Sequence, residues 1–252
     1  MTKLRVLDLF SGIGGFSLGL ERTGGFETVA FCEIEEFPRR VLAKHWPEVP
    51  CYRDVRELTA ERLAADGIAV DGICGGFPCQ DISVAGHGLG LAGERSGLFY
   101  EVARLVGELG PEFVILENVG ALLCRGLDAV LGTLASLGYD AIWHCIPASH
   151  VGLPHTRDRV WIIAYPGVER TQRRWQDAFS RLYGISWGEN VRRAAVWAKR
   201  PDLSASGLCR TGDGIPYRVD RTSALGNAVV PQIPELIGNA ILEAIQAERI
   251  AA

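Results

Sequence analysis

Four groups of residues in this sequence are of types that do chemistry. Cys79 stands in Gly75-Gly76-Phe77-Pro78-Cys79-Gln80, directly after an apolar run. A thiol of ordinary pKa, ~8.5, is only a few per cent ionised at neutral pH, so a nucleophile there needs help from its surroundings. Glu117 ends the otherwise apolar Phe113-Val114-Ile115-Leu116-Glu117 and is followed by Asn118-Val119. Burial raises a carboxyl pKa, which suits a group that must be protonated to donate to a ring nitrogen. Arg157 and Arg159, in Leu153-Pro154-His155-Thr156-Arg157-Asp158-Arg159, fall on one face of a strand and can both reach one anionic site. The fourth group is Asp8-Leu9-Phe10-Ser11-Gly12-Ile13-Gly14-Gly15-Phe16, a strand entering a glycine-rich turn and then a helix. Its glycines let a ligand approach the backbone, and the helix start offers free N–H groups. Glu33 follows about 20 positions on, where an acid can bind ribose hydroxyls, and Asp54 follows Cys51-Tyr52, where it can meet an adenine amino group. Each group alone also has a structural reading, as a tight turn, a buried thiol, a cap or two surface arginines. The turn together with both acids favours a nucleoside-containing cofactor.

Short apolar runs alternating with helix-like stretches must position these residues. Residues 4–10, 28–33, 71–74, 113–117, 141–146 and 160–164 read as strands, and 14–22, 37–45, 57–66, 97–109 and 127–137 as helices. Continuous apolar strands suit a sheet covered on both faces, hence a mostly parallel α/β sheet whose sites lie at the strands' carboxyl ends. A last helical pattern at 231–249 suggests packing back on this body.

The chain has 252 residues, 48% of them apolar, and a net charge of −4. That composition excludes a disordered protein, and no stretch approaches the ~20 apolar residues of a membrane span. The N-terminus enters a strand pattern without the apolar region of a secretory signal, so the expected location is cytoplasmic. The seven cysteines, at 32, 51, 74, 79, 124, 145 and 209, show no CxxC pair or metal-ligand spacing and read as reduced thiols, with no metal site. Charge is unevenly spread: residues 165–221 carry 11 Lys+Arg against six acids, with Trp175, Trp187 and Trp197 among the arginines. An acidic total speaks against nucleic acid, but this segment is +5 and the remainder −9. Between Cys79 and Leu98, five glycines in eighteen residues make a stretch that can move, with His87 read as a solvated loop residue.

In order and spacing the segments resemble the DNA (cytosine-5)-methyltransferase family of bacterial or phage type, over residues 4–164 and 224–252. The glycine turn is similar to its first motif, Pro78-Cys79-Gln80 to its catalytic motif, Glu117-Asn118-Val119 to its acid motif, and Arg157-Asp158-Arg159 to its paired-arginine motif. Gly226-Asn227-Ala228-Val229-Val230-Pro231 is similar to its final motif. The resemblance implies a Rossmann-like class I methyltransferase sheet with helices on both faces, plus a small basic target-recognition domain. It divides the chain into an S-adenosylmethionine-binding catalytic domain at 1–164 and 222–252 and a target-recognition region at 165–221. It implies S-adenosylmethionine as cofactor, S-adenosylhomocysteine as product, no metal, and a cytosine flipped out of double-stranded DNA as substrate. Cys79, Glu117, Arg157 and Arg159 are then catalytic, and Phe10, Ser11, Gly12, Gly14, Glu33, Ile34, Asp54, Pro78, Leu98 and Asn227 line the cofactor pocket. The glycine-rich stretch after Cys79 becomes a lid over DNA. A cognate restriction endonuclease as partner and a monomer, with a dimer as alternative, complete the expectations. Two other readings stay open, a tRNA substrate, which one branch of the family uses, and a catalytically silent DNA-binding relative. The recognition region has only 57 residues, short for the family.

Overall fold

A computed structural model describes residues 2–78, 96–153, 157–167, 169–183 and 227–250. Its elements in chain order are β1 (Leu4–Leu9), α1 (Gly15–Arg22), β2 (Phe26–Cys32), α2 (Glu36–His45), β3 (Cys51–Tyr52), α3 (Ala60–Ala65), β4 (Gly72–Gly75) and α4 (Phe99–Leu109). There follow β5 (Phe113–Val119), α5 (Leu122–Arg125), α6 (Leu127–Ser136), β6 (Tyr139–Pro147), β7 (Asp158–Pro166), α7 (Glu169–Tyr183) and α8 (Gln232–Ile250). The strands form one sheet in the order β3-β2-β1-β4-β5-β7-β6. The ladders from β3 through β5 are parallel, while β7 is antiparallel to both β5 and β6. A connection as short as the one from β6 to β7 cannot make a parallel crossover, so the chain turns back on itself.

The apolar runs have no alternation because both faces of the sheet are covered. Leu7 and Leu9 of β1 face a core shared with Leu105 and Val106 of α4 and Val130 and Leu134 of α6. Leu4 and Val6 face the opposite core, with Phe16 and Leu20 of α1, Phe179 of α7 and Ile237 and Ile241 of α8. The architecture is therefore the expected Rossmann-like sheet with helices on both faces. The final segment closes against α1 so tightly that a Cβ on Gly15 would lie 2.5 Å from the Val229 carbonyl oxygen.

Several details differ from the sequence reading. The helix expected over 57–66 starts only at Ala60, because the Thr59 hydroxyl accepts the Arg62 N–H and caps it there. The helix expected from residue 97 begins as a 3-10 turn, Ser96–Leu98, before α4. Cys145, read as a thiol inside an apolar strand, is exposed because β6 is an outer strand. Within the 165–221 segment, β7 runs on to Pro166, and Trp175 of α7 is only 2% exposed. Its ring stacks on Tyr165 at 4.7 Å, so this tryptophan serves the core and is out of reach of a ligand. Residues 184–226, including Trp187 and Trp197, lie outside the described residues. No described helix is long and apolar enough to cross a membrane.

One core residue is ionisable. Asp8 is fully buried on β1, where the Ser17 hydroxyl donates to its Oδ2 at 2.7 Å. Burial pushes its carboxyl from 3.8 up to about 7, against the opposing pull of Ser17 and Cys74. The folded chain thus binds a proton that the unfolded chain has already released, between roughly pH 4 and 7. The stability from neutral Asp8 is complete below the unfolded pKa and is lost as pH rises through the folded one. Asp8→Asn stays neutral throughout, so its stability relative to the native chain should rise between pH 5 and pH 8 by on the order of 2–3 kcal/mol. Urea unfolding at the two pH values measures this, and an unchanged difference would contradict it.

Candidate active site

The carboxyl ends of β1, β2, β3, β4 and β5 lie along one edge of the sheet, and every expected site residue that is described belongs to that edge or to the segments folded over it. The turn after β1 is built from unusual backbone, with φ of 52° at Phe10, 53° at Gly12 and 85° at Gly14. Glycine takes this left-handed conformation without cost, but Phe10 is strained by it, on the order of 1–3 kcal/mol. Ser11 is buried inside the turn, its hydroxyl donating to the Asp8 carbonyl at 2.6 Å. Phe10 and Leu98 are half-buried and pack on the core beneath.

Glu33 is brought directly to this turn. Its Oε2 accepts the Gly12 N–H at 2.7 Å, and its Oε1 accepts the Glu35 N–H at 2.8 Å. Burial raises its carboxyl above the usual range, and the amides of Glu35, Gly12 and Ile34 oppose the rise. Each oxygen keeps a further lone pair, so the carboxylate can accept a pair of hydroxyls as well. Beside it Ile34 is 54% exposed, an apolar side chain left uncovered at the sheet edge. Asp54 is not joined to the other site residues. Its carboxylate is paired with Arg56 at 2.6 Å, and that hydrogen-bonded pairing holds it below the usual carboxylate range. Neutral hydroxyls and amino groups are the donors this pair of acids invites.

The second half of the edge gathers the acid and the paired arginines. Glu117 is 8% exposed near the end of β5, and Arg159 Nε lies 3.1 Å from its Oε1. Burial raises the Glu117 carboxyl, while the Arg159 and Arg157 charges oppose the rise. Both arginine charges act on the same acid, Arg159 through direct contact, and Arg157 lies just before β7 begins. Arg159 Nη1 also donates to the Asp158 carbonyl at 2.8 Å, and Arg157 Nη2 donates to the Asn227 carbonyl at 3.3 Å, tying the final segment to the site. A Cβ on Gly76 would come within 3.2 Å of Glu117 Oε2, so the segment leading to Cys79 passes directly over the acid. Pro78 is half-buried, and Cys79, with the rest of 79–95, lies outside the described residues, as do Pro154, His155 and Thr156. Among the described residues no group of three or more His, Cys, Asp or Glu side chains is gathered as metal ligands.

Sequence reasoning gave Asn118 no role of its own. The side chain is buried, its Nδ2 donating to the Phe77 carbonyl at 3.2 Å and its Oδ1 accepting the Val119 N–H at 2.8 Å. It couples the acid strand to the segment entering Cys79, and an amide closing an apolar run was the available signal.

A sequence family described as C-5 cytosine-specific DNA methylase matches residues 4–184. Type II methyltransferase M.Sau3AI of Staphylococcus aureus is 35% identical over 183 residues, covering 66% of this chain and 44% of that protein. Type II methyltransferase M.HhaI of Haemophilus parahaemolyticus is 32% identical over 169 residues, covering 66% and 50% respectively. A candidate DNA modification methyltransferase encoded within an E. coli prophage, known by its crystal structure, superposes with a TM-score of 0.56 at 31% identity, covering 65% of this chain and 47% of that one. The chain spans about half the length of the curated relatives it matches.

The Asn118 coupling is measurable without any ligand. Asn118→Ala leaves the Phe77 carbonyl and the Val119 N–H without their side-chain partner, and should lower the unfolding free energy by about 2 kcal/mol. Chemical denaturation tests this; a loss below about 0.5 kcal/mol would show that the coupling contributes little.

Proposed function

The chain belongs to the C-5 cytosine-specific DNA methylase family, and we propose that it transfers a methyl group from S-adenosylmethionine to carbon 5 of a cytosine flipped out of double-stranded DNA. The observation that carries this reading is the buried Glu117 held 3.1 Å from Arg159, with the segment entering Cys79 passing over its other oxygen. A carboxyl with a raised pKa beside a guanidinium matches the edge of a cytosine, which presents a ring nitrogen next to a carbonyl.

The cofactor fits the first half of the site. Glu33 retains acceptor capacity for a ribose diol, exposed Ile34 offers an apolar surface to a base, and Asp54 lies where an amino group can be met. Phe10, Ser11, Gly12, Gly14, Pro78, Leu98 and Asn227 complete the lining, Ser11 by holding the turn in shape, since its hydroxyl is bonded to the Asp8 carbonyl and its N–H to the Cys32 carbonyl. When bound, S-adenosylmethionine supplies the methyl from its sulfonium and leaves as S-adenosylhomocysteine.

The chain's own residues prepare the base. Cys79 thiolate adds to carbon 6, and the electron pair displaced from the ring double bond makes carbon 5 nucleophilic. Glu117, protonated, donates to ring nitrogen 3 and stabilises the charge that develops there. Arg159 has N–H groups beyond those used on Glu117 and Asp158, and these hold the base carbonyl. After methylation the carbon 5 proton passes to water, its electron pair re-forms the ring double bond, and the bond from Cys79 to carbon 6 breaks with the pair returning to the thiolate. Arg157 orients the site through the final segment.

The catalytic domain is assigned to 1–164 and 222–252 and target recognition to 165–221, whose first part packs on the catalytic body through Tyr165, Trp175 and Phe179 while Arg173 of α7 is exposed. The chain acts as a monomer in the cytoplasm, where its thiols stay reduced, with a cognate restriction endonuclease as partner. Incubation with duplex DNA and methyl-labelled cofactor should yield 5-methylcytosine, and Glu117→Gln should reduce the rate by at least about 100-fold. DNA carrying 5-fluorocytosine should be trapped covalently by the native chain and not by Cys79→Ser. A chain that binds S-adenosylhomocysteine yet labels neither DNA nor tRNA would overturn the activity, and label in tRNA alone would overturn the substrate.

A further inference from the structure

Arg39 belongs to none of the groups above. It sits on α2, half-buried, and its guanidinium reaches back to the sheet. Nη1 donates to the Glu33 carbonyl at 3.2 Å and to the Tyr52 carbonyl at 3.0 Å, and lies 3.6 Å from Cys51 Sγ. Those carbonyls stand where β2 and β3 end. The two strands share a very short ladder, pairing Phe31 with Cys51 and Cys32 with Tyr52. Its last rung is the Glu33 N–H donating to the Tyr52 carbonyl at 3.0 Å. Glu33 is on that rung, and Asp54 follows two residues beyond β3. The separation of the two acids therefore rests on this short ladder, which also holds the Phe31 N–H to the Pro50 carbonyl at 2.9 Å, and on the guanidinium that bridges its outer end.

We propose that Arg39 is a positioning residue for the adenosine half of the cofactor, clamping the ends of β2 and β3 so that Glu33 and Asp54 stand at the span of a ribose and its base. The inference rests on the reading of those two acids as ribose and adenine ligands. A nucleoside has a fixed span between its ribose diol and the amino edge of its base. Edge strands that splay lose both hydrogen bonds together. A cationic donor makes stronger hydrogen bonds to carbonyls than a neutral one, which suits a clamp on a ladder this short. Arg39 touches neither Glu117 nor the segment entering Cys79, so its contribution is to binding and not to the chemical step.

The test is a split of KM from kcat, together with direct binding of S-adenosylhomocysteine and of adenosine to the full chain. Arg39→Ala should raise the dissociation constant for both ligands and the KM for S-adenosylmethionine by about tenfold, with kcat at saturating cofactor unchanged. Arg39→Lys, which keeps one cationic donor on a shorter side chain, should fall between the alanine variant and the native chain. It also carries the measurement if the alanine variant does not fold, as judged by near-ultraviolet circular dichroism. Native affinity in both variants, or a drop in kcat with KM unchanged, would overturn the role of Arg39 alone. A native chain that binds neither ligand would overturn the cofactor reading and this inference with it.

Discussion

Glu117 and Arg159 can meet only because β7 runs against β5. The carboxylate lies near the end of one strand and the guanidinium near the start of the other, and the register pairs Val119 with Arg159. Had β7 been parallel, its first residues would have lain at the opposite edge of the sheet, roughly 20 Å away at ~3.3 Å per residue. The reversal therefore brings the arginines to the edge where the glycine turn, Glu33 and Glu117 already stand. It also sends the chain out at the opposite edge after Pro166, so that α7 returns across the face with Tyr165, Trp175 and Phe179 stacked in series. One strand direction thus determines both the composition of the site and the covering of a core face.

Along that edge the acids are held in different states by simple means. Asp54 is hydrogen-bonded to Arg56, which holds its carboxyl below the usual range. Glu33 is buried but receives backbone N–H groups, which give a carboxylate partners without neutralising its charge. Glu117 is nearly buried and has cations beside it, with burial the larger influence. A carboxyl in that balance is open both to holding a proton and to pairing with Arg159. Carboxyls of differing proton affinity then coexist on one sheet edge because burial and partners differ at each strand end.

Much of this was legible in the sequence, and the reasons are specific. Apolar runs without alternation announced strands covered on both faces, and Glu117 at the end of one of them was conspicuous because nothing else in the run was polar. Arg157 and Arg159, two residues apart, both bring positive charge to Glu117, and Arg159 touches it. The short stretch Cys51-Tyr52 gave the position of Asp54 but not its pairing with Arg56. What escaped reading was made by contacts distant in sequence. The tie from Asn118 to Phe77 spans 41 positions, and the tie from Arg157 to Asn227 spans 70. Trp175 looked like its neighbours in an arginine-rich stretch, and only the return of α7 over Tyr165 makes it core. Arg39 is one of two adjacent arginines on a helix, and no local pattern distinguishes the one that turns inward.

The final segment shows why the two ends of the chain must fold together. Val229 approaches Gly15 so closely that no side chain fits between them, and Ile233 and Ile237 continue that contact into the core shared with Phe16 and Leu20. The same segment offers its Asn227 carbonyl to Arg157. Helix α1 is thereby pinned from outside at its first turn, where it leaves the glycine turn, while Ser17 pins it from below to Asp8 on β1. The turn is strained at Phe10, and a strained turn persists only where its surroundings over-determine it. Here the restraint comes from residues more than 200 positions later in the chain. The geometry of the turn is therefore set by the folded chain and not by the glycine-rich motif alone.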